Sequence, residues 1–563
     1  MNDMKKLNFP GCTMKFQLNL PQLIKRGITY FPKQEIVYRT HENEIKRYTY
    51  EDLYKNSCRL ANTLKELGVR PGDRVGVYGT NVVEVMECHI GIILAGAVVN
   101  SVNPRFSQDY IIAGINRMED KVALVDKSLL PLFEQISSHL SSVKHVIIFP
   151  EKGDTSLNYA YSYNELIGNA SFEMKIDALL DIDEWEAAFH QCTTGTTGVP
   201  KACLFSHRGM YLQTIGQSLA ESHRFTQYDT ILHIIPSYHG FWFYHFTGWQ
   251  LGMKQVFIGP NMDPEWVLRL IQDEKVTCCG GTPEVWGMIL GALRAQESKG
   301  IKYNLNSMNR VFLAGTAPSL AIQKKFSQLG IEPMHVFGMT EMHGPYGTVS
   351  KPKPYMDLSE EEAFKYRKKQ GIPLPFINVK GIDDEGESIP WDGKTIGELC
   401  MRGATILGEH YNMPEETDAL WTEDGWFRSG DLITIDDEGY MEIQDRKKDL
   451  IKSGGEFIST IELGAKILEH PKVYEAAVVG CFHPKWGERP LAAIVPTPES
   501  EEVSEEEIIQ HLVPLVPKWW LPDKIVFLSE LPKTSVGKLD KSGLKEKFKN
   551  YKLPEEPVYK KIV

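Results

Sequence analysis

At 563 residues the chain is longer than one ordinary domain and has ample material for several hydrophobic cores. With 42% hydrophobic and 24% charged residues it reads as a water-soluble globular protein. Its formal net charge of −12 argues against a nucleic-acid binder, so an anionic substrate must be met by local cations and backbone N–H groups and not by an overall field. The nine cysteines lack paired spacing: Cys278 and Cys279 are adjacent, and Cys192 and Cys203 stand apart without a partner pair. Neither a disulfide framework nor a zinc-site spacing follows, and the cysteines read as buried thiols. The start of the chain lacks the apolar core of a signal peptide, and the nearest apolar run, residues 90–99, is too short to span a bilayer and reads as a buried helix. The expectation is no integral membrane segment and a cytoplasmic location.

In chain order, residues 48–65 read as an amphipathic helix, because Leu53, Tyr54, Cys58, Leu60, Ala61 and Leu64 recur at spacings of three and four. Turn text at 68–73 leads to a strand at 74–78, then to a helix at 83–96 and a further strand from Val98 ending at Asn103-Pro104-Arg105. Strand text returns at 121–126 and 143–149. Such alternation predicts an α/β domain with a mostly parallel sheet.

Residues 193–201 then place four hydroxyls and two glycines within six positions, closed by Pro200 and Lys201. Glycines let backbone N–H groups approach an anion, and hydroxyls and an ammonium add donors, so the stretch reads as a phosphate cradle. The runs at 185–190 and 202–207 predict that it is a turn between two short strands. It is not a Walker-type loop, since Lys201 follows Pro200 and precedes Ala202. Gly393-Lys394-Thr395 has the ending of that loop, but Ser388 stands where its first glycine belongs.

Further on, a strand at 230–236 runs into the aromatic-rich stretch 237–245. Two strand-then-turn units follow. Arg310 to Pro318 ends in small residues that let a planar base lie close to backbone, and Val336 to Glu341 ends in a carboxylate. The charged segment 350–371 reads as a solvated connector, and the text beyond it turns β-rich, with turns at 384–386 and 391–393. The charge run and glycines at 444–455 mark a boundary. A helix at 461–470, strands at 473–480 and 524–528, and a helix ending at Leu515 make a compact α+β unit. Residues 550–563 read as a tail.

Five stretches together (193–201, 237–245, 336–341, 424–455 and 531–538) resemble the motifs of adenylate-forming enzymes, the family of acyl-CoA synthetases, luciferases and peptide-synthetase adenylation domains. They occur in the family's order and approximate spacing, and the resemblance runs from about Tyr48 to Lys541. The first motif departs from the family at Ala202, where glycine is usual, which requires an ordinary φ there. The resemblance implies that Thr193, Thr194, Gly195, Thr196, Thr197, Gly198 and Lys201 hold the β- and γ-phosphates of ATP. Gly315, Thr316 and Ala317 would lie beside adenine, Phe337 would stack on it with Gly338 adjoining, and Asp431 and Arg446 would take the ribose hydroxyls. Thr340 would touch the α-phosphate and Glu341 would hold Mg²⁺. His239 would gate an acyl pocket formed with Gly240, Phe241, Trp242 and Trp286. Lys448 would be the hinge, Lys452, Ser453, Gly454 and Gly455 would face CoA, and Lys538 would be the lysine of adenylate formation. Residues 237–250 contain no carboxylate to hold an ammonium, which implies an acid without an α-amino group.

The expected fold is α/β: a large N-terminal AMP-binding domain, residues 1–447, of parallel-sheet subdomains plus a small β-barrel-like subdomain, followed by a small mobile α+β domain, residues 448–563. The expected function is an AMP-forming acyl-CoA synthetase of the fatty-acyl-like branch, using Mg²⁺ with ATP and CoA as co-substrates of a small carboxylic acid. Carrier-protein loading or luciferase-like oxidation is the alternative. The resemblance also allows a homodimer.

Overall fold

Four sheets organise the molecule, whose computed structural model describes residues 14–562 apart from 194–200, 221, 351–352, 354–355, 414–416, 418, 498–502 and 534–538. The first sheet has seven strands in the spatial order Ala160–Ser162, His145–Phe149, Val122–Asp126, Arg74–Tyr78, Val98–Ser101, Ala187–Thr193, Lys201–Ser206. All neighbours are parallel except the last pair. Strands covered on both faces need continuous apolar text, and all five residues of Val122–Asp126 are buried. The helix Tyr50–Glu66 begins at a reciprocal cap between Thr49 and Asp52, and it buries the predicted Leu53, Cys58, Leu60, Ala61 and Leu64. The apolar run at 90–99 splits into the end of the helix Val83–Leu94, buried on nearly every side, and the strand Val98–Ser101. Asn103 turns the chain after that strand by accepting the N–H of Arg105.

A second sheet of nine strands has a parallel centre made of Glu332–Met339, Arg310–Leu313, Cys278–Gly281, Thr230–His233, Lys254–Phe257 and Glu35–Arg39. Its short strands stay in register partly through a buried ion pair. Arg310 donates to both oxygens of Asp229, at 3.0 and 2.9 Å, and to the carbonyl of His223. Removing one member of such a pair costs roughly 3–5 kcal/mol, because the other is left charged and buried.

The β-rich text forms a four-stranded antiparallel sheet, Ile377–Ile382, Gly397–Gly403, Phe427–Ile435 and Met441–Arg446. Its apolar face packs Leu399, Met401, Phe427, Ile433 and Met441 around Met342, so this sheet holds the back of the turn at Thr340. The last sheet comprises Glu456–Ile458, Ile451–Ser453, Gly487–Pro496, Val473–His483 and Lys524–Phe527, with helices Thr460–Leu468, Glu505–Leu512 and Lys541–Phe548 around it. Its two faces bury separate apolar clusters. Arg489, almost wholly buried, bonds Asp523 at 2.7 Å and the carbonyl of Leu521 at 3.0 Å.

Two segments differ from expectation. The connector at 350–371 contains a helix, Glu360–Lys368, capped reciprocally by Ser359 and Glu362, with Ala363 and Phe364 buried. Its charges are ordered along the helix, acidic in the first turn and basic in the last, which complements the helix dipole. The order of these charges, and not their number, marks the helix. The C-terminal stretch is not a tail, because Tyr551 and Leu553 pack on one cluster and Val558, Tyr559 and Ile562 on the other. Among the described residues no helix is long and apolar enough to cross a membrane.

Candidate active site

Parallel sheets bind ligands outside the carboxyl ends of their strands. The strands Arg310–Leu313 and Glu332–Met339 are neighbours with Leu313 opposite His335, so the segments leaving them lie side by side. Gly315, with φ of 96°, and Ala317 are exposed there, while Thr316 donates to Glu284 at 2.9 Å. Phe337 is half-buried against the antiparallel subdomain, and a register shift between Phe337 and Met339 bends the chain at Gly338. The structure thus brings Gly315, Thr316, Ala317, Phe337, Gly338, Thr340 and Glu341 to one edge.

The turn Thr340–Met342 is held from several directions. The N–H of Leu407 donates to the carbonyl of Glu341 at 2.7 Å, and the Gln213 amide donates to the carbonyl of Met342 at 2.8 Å. His343, at φ 61°, closes the turn. Its Nδ1 lies 2.6 Å from the carbonyl of Thr405, which can only accept, so Nδ1 carries the proton and Nε2 accepts the N–H of Ser206 at 3.3 Å. Burial drives the imidazole pKa down to about 4, in keeping with this neutral tautomer. The helix His207–Ser218 can approach because residue 209 is glycine; a Cβ there would stand 2.4 Å from Nε2 of His343. The Glu341 carboxylate is 12% exposed and makes no hydrogen bond among the described residues; His410 Nε2 is 3.7 Å away. An unspent carboxylate at the rim of a cleft is the donor a hard cation takes when phosphate oxygens supply the remaining ligands, so the residues fit Mg²⁺.

Thr193 pairs with Lys201 across an antiparallel ladder, so the glycine-rich stretch joins two strands as expected. Thr194, Gly195, Thr196, Thr197 and Gly198 lie outside the described residues. Ala202 is buried in the second strand opposite Cys192, and its carbonyl accepts the N–H of Tyr411 at 2.9 Å. Strand backbone suits any residue, which accounts for alanine at this position.

His239 is half-buried and starts the tight turn Gly240–Phe243, its carbonyl accepting the N–H of Trp242 at 2.8 Å. Trp242 is buried against His233 and Phe257, and Trp286 against Phe326. Both belong to hydrophobic cores, so neither presents an open pocket wall. The Phe241 side chain lies outside the described residues.

Asp431 and Arg446 face each other across two strands of the four-stranded sheet, with Nε and Oδ1 at 3.4 Å. A carboxylate and a guanidinium so placed supply an acceptor and donors to neighbouring hydroxyls. Beyond Arg446, the exposed Lys448 has its pKa lowered by partial desolvation, and its carbonyl accepts from Lys545 at 2.5 Å. Ser453 and Glu456 pair around Gly454 and Gly455, whose φ values of 61° and 94° are those of a tight I′ hairpin turn. Lys452 lies over the Phe457 ring, and Lys485 over that of Trp486. The result is an exposed strip of cations and aromatic faces. Lys538 lies outside the described residues, and Lys533 and Leu539 on either side of 534–538 form a bridge.

Sequence reasoning missed the residues that position these groups. Gln213 and His343 brace the Glu341 turn. Asp445, fully buried, accepts both the N–H and the hydroxyl of Thr460 at 2.6 Å, while Lys541 reaches that hydroxyl at 2.5 Å. Cys203 and His410 flank Glu341. Each comes from a separate stretch, and no local spacing announces them.

Family models match most of the chain: the AMP-binding enzyme over residues 25–411 and the AMP-binding enzyme C-terminal domain over residues 462–538. A long-chain-fatty-acid–CoA ligase of Thermus thermophilus is 38% identical over 546 residues, covering 96% of this chain and 98% of that one. A medium-chain-fatty-acid–CoA ligase of Ectopseudomonas oleovorans is 34% identical, covering 96% and 97%. Among solved structures, an anthranilate CoA ligase in complex with anthranoyl-AMP has a TM-score of 0.82 at 22% identity, over 95% of this chain and 98% of that one, and so supports the fold. The chain belongs to the AMP-binding enzyme family.

Proposed function

We propose that this enzyme joins a carboxylic acid without an α-amino group to CoA in two steps, through an acyl-adenylate. The observation that carries the reading is the Thr340–Glu341 turn, braced by Leu407 and Gln213, whose carboxylate makes no hydrogen bond among the described residues. In the first step the acid's carboxylate oxygen attacks the α-phosphorus of ATP and the bond to pyrophosphate breaks. Negative charge grows on the phosphoryl oxygens, and Thr340, Lys201, Lys538 and the 194–198 stretch meet it with donors and positive charge. One preorganised donor at such a centre contributes about 3–4 kcal/mol, or roughly 10²–10³ in rate. Mg²⁺, when held by Glu341, supplies charge neutralisation at the phosphates. Asp431 and Arg446 fix the ribose, and His239 borders the acid.

In the second step the thiol sulfur of CoA attacks the acyl carbonyl and the bond to AMP breaks. The strip from Lys452 to Gly455 is the CoA side, and movement of the unit beyond Lys448 exchanges one arrangement for the other. The division of the chain at 447/448 is part of this proposal, supported by the separate sheet and cores beyond Leu450. So is a cytoplasmic location, supported by the eight free cysteines among the described residues. A homodimer rests on the family resemblance, and sedimentation equilibrium tests it.

The acid's length is set by the space behind His239. A panel from acetate to palmitate, including methylthio acids, assayed for AMP release with and without CoA, should show CoA-dependent turnover with one length class preferred. AMP release indifferent to CoA would overturn the thioester acceptor.

A further inference from the structure

Cys203, Glu341 and His410 come together from three separate stretches. Their ligand atoms (Sγ, a carboxylate oxygen and a ring nitrogen) all lie within 4.8 Å of one another. Backbone contacts fix all three. Cys203 and His410 form an antiparallel bridge, the N–H of His410 donates to Thr417 at 2.9 Å, and Leu407 holds the Glu341 carbonyl. His410 is 1% exposed, and neither ring nitrogen has a hydrogen-bond partner among the described residues. A buried imidazole without a partner is costly unless something else satisfies it.

We infer that these three side chains form a binding site for a thiophilic divalent cation, with Zn²⁺ the best match. Thiolate, imidazole and carboxylate are the zinc donor set, and three protein ligands leave a fourth position for water or a phosphate oxygen. Bond lengths of about 2.0–2.3 Å place ligand atoms of a tetrahedral zinc site roughly 3.3–3.7 Å apart, so the cluster closes by about 1 Å through side-chain rotation. Mg²⁺ takes oxygen ligands and has no use for the thiol. On binding, the Cys203 thiol releases its proton to solvent and no electron is transferred. Because the carboxylate is the one assigned above to Mg²⁺, zinc at this site blocks adenylate formation; this consequence rests on the proposed function, whereas the site itself does not.

The test titrates the full-length protein with Co²⁺ and Zn²⁺, alongside Cys203→Ala and His410→Gln checked for folding by circular dichroism. One Co²⁺ per chain with a thiolate-to-metal charge-transfer band is expected. The band should be absent in Cys203→Ala and altered in His410→Gln, and Zn²⁺ should displace the ion. No such band in the unmodified protein, or a band that survives Cys203→Ala, overturns the site. Zinc should also lower Mg²⁺-dependent AMP release, with the half-inhibiting concentration raised at least about tenfold when a ligand is removed, as loss of one ligand contact implies. Cation binding with the thiolate band but undiminished AMP release sustains the site and overturns instead the assignment of Glu341.

Discussion

The turn at Thr340 and the segment beyond Arg446 are held in different ways. The turn at Thr340–Met342 is tied to the helix His207–Ser218, to the strand ending at Ser206 and to the segment around Thr405 and Leu407. The segment from Arg446 to Gly455 is divided: Arg446 pairs with Asp431 in the four-stranded sheet, whereas Lys448 to Gly455 are tied to the strand Gly487–Pro496 and to Lys545 of the helix Lys541–Phe548. Arg446 is 60% exposed, whereas Met342 is fully buried. The difference suits the proposed mechanism, in which one side stays where charge develops and the other is exchanged between two reactions. Electrostatic preorganisation needs fixed donors, and a hinge needs few contacts to break.

Lys538→Ala breaks the comparison most forcefully, because on the proposed mechanism it removes a charge that the unit beyond Lys448 brings to the phosphates. Adenylate formation should fall about 10²–10³-fold, as for loss of a donor at a developing oxyanion. Thioester formation from supplied acyl-adenylate should persist. Rapid-quench assays of the separate half-reactions check this, and equal loss of both would remove Lys538 from its role.

His343→Leu loosens the fixed side itself. It leaves the Thr405 carbonyl and the Ser206 N–H without their partner and frees the Glu341 turn. Misplacement by about 1 Å far from the chemistry can cost 10²-fold, so AMP formation should drop by up to about that factor, with a lowered melting temperature. Unchanged kinetics would show that the turn holds without the imidazole.

Much of this contrast was legible in the chain. Alternating text predicted the parallel sheets, and the hydroxyl- and glycine-rich stretch after Gln191 does join two strands. The motifs single out Thr340 with Glu341 and Asp431 with Arg446, and the last two are paired across neighbouring strands. Braces such as Gln213, His343 and Asp445 were not legible, since their partners lie far along the chain and single polar residues carry no periodicity. Cys203 and His410 escaped for the same reason, because a metal-site spacing is local and these residues meet only through the fold. The helix Glu360–Lys368 was hidden by its own charges, whose order mattered more than their number.

The smallest expected effect is the one aimed most directly at the claim that one side moves and the other does not. Lys448→Pro restricts the backbone at the hinge and leaves the Thr340 turn untouched. Single-turnover adenylation, followed by rapid quench in the absence of CoA, should remain near that of the unmodified protein. Overall CoA-dependent turnover should fall about tenfold, equivalent to roughly 1.4 kcal/mol on the exchange between steps. A single-turnover adenylation rate that falls as far as overall turnover would contradict the account, because the segment at Lys448 would then belong to the first reaction and not to the passage between the two.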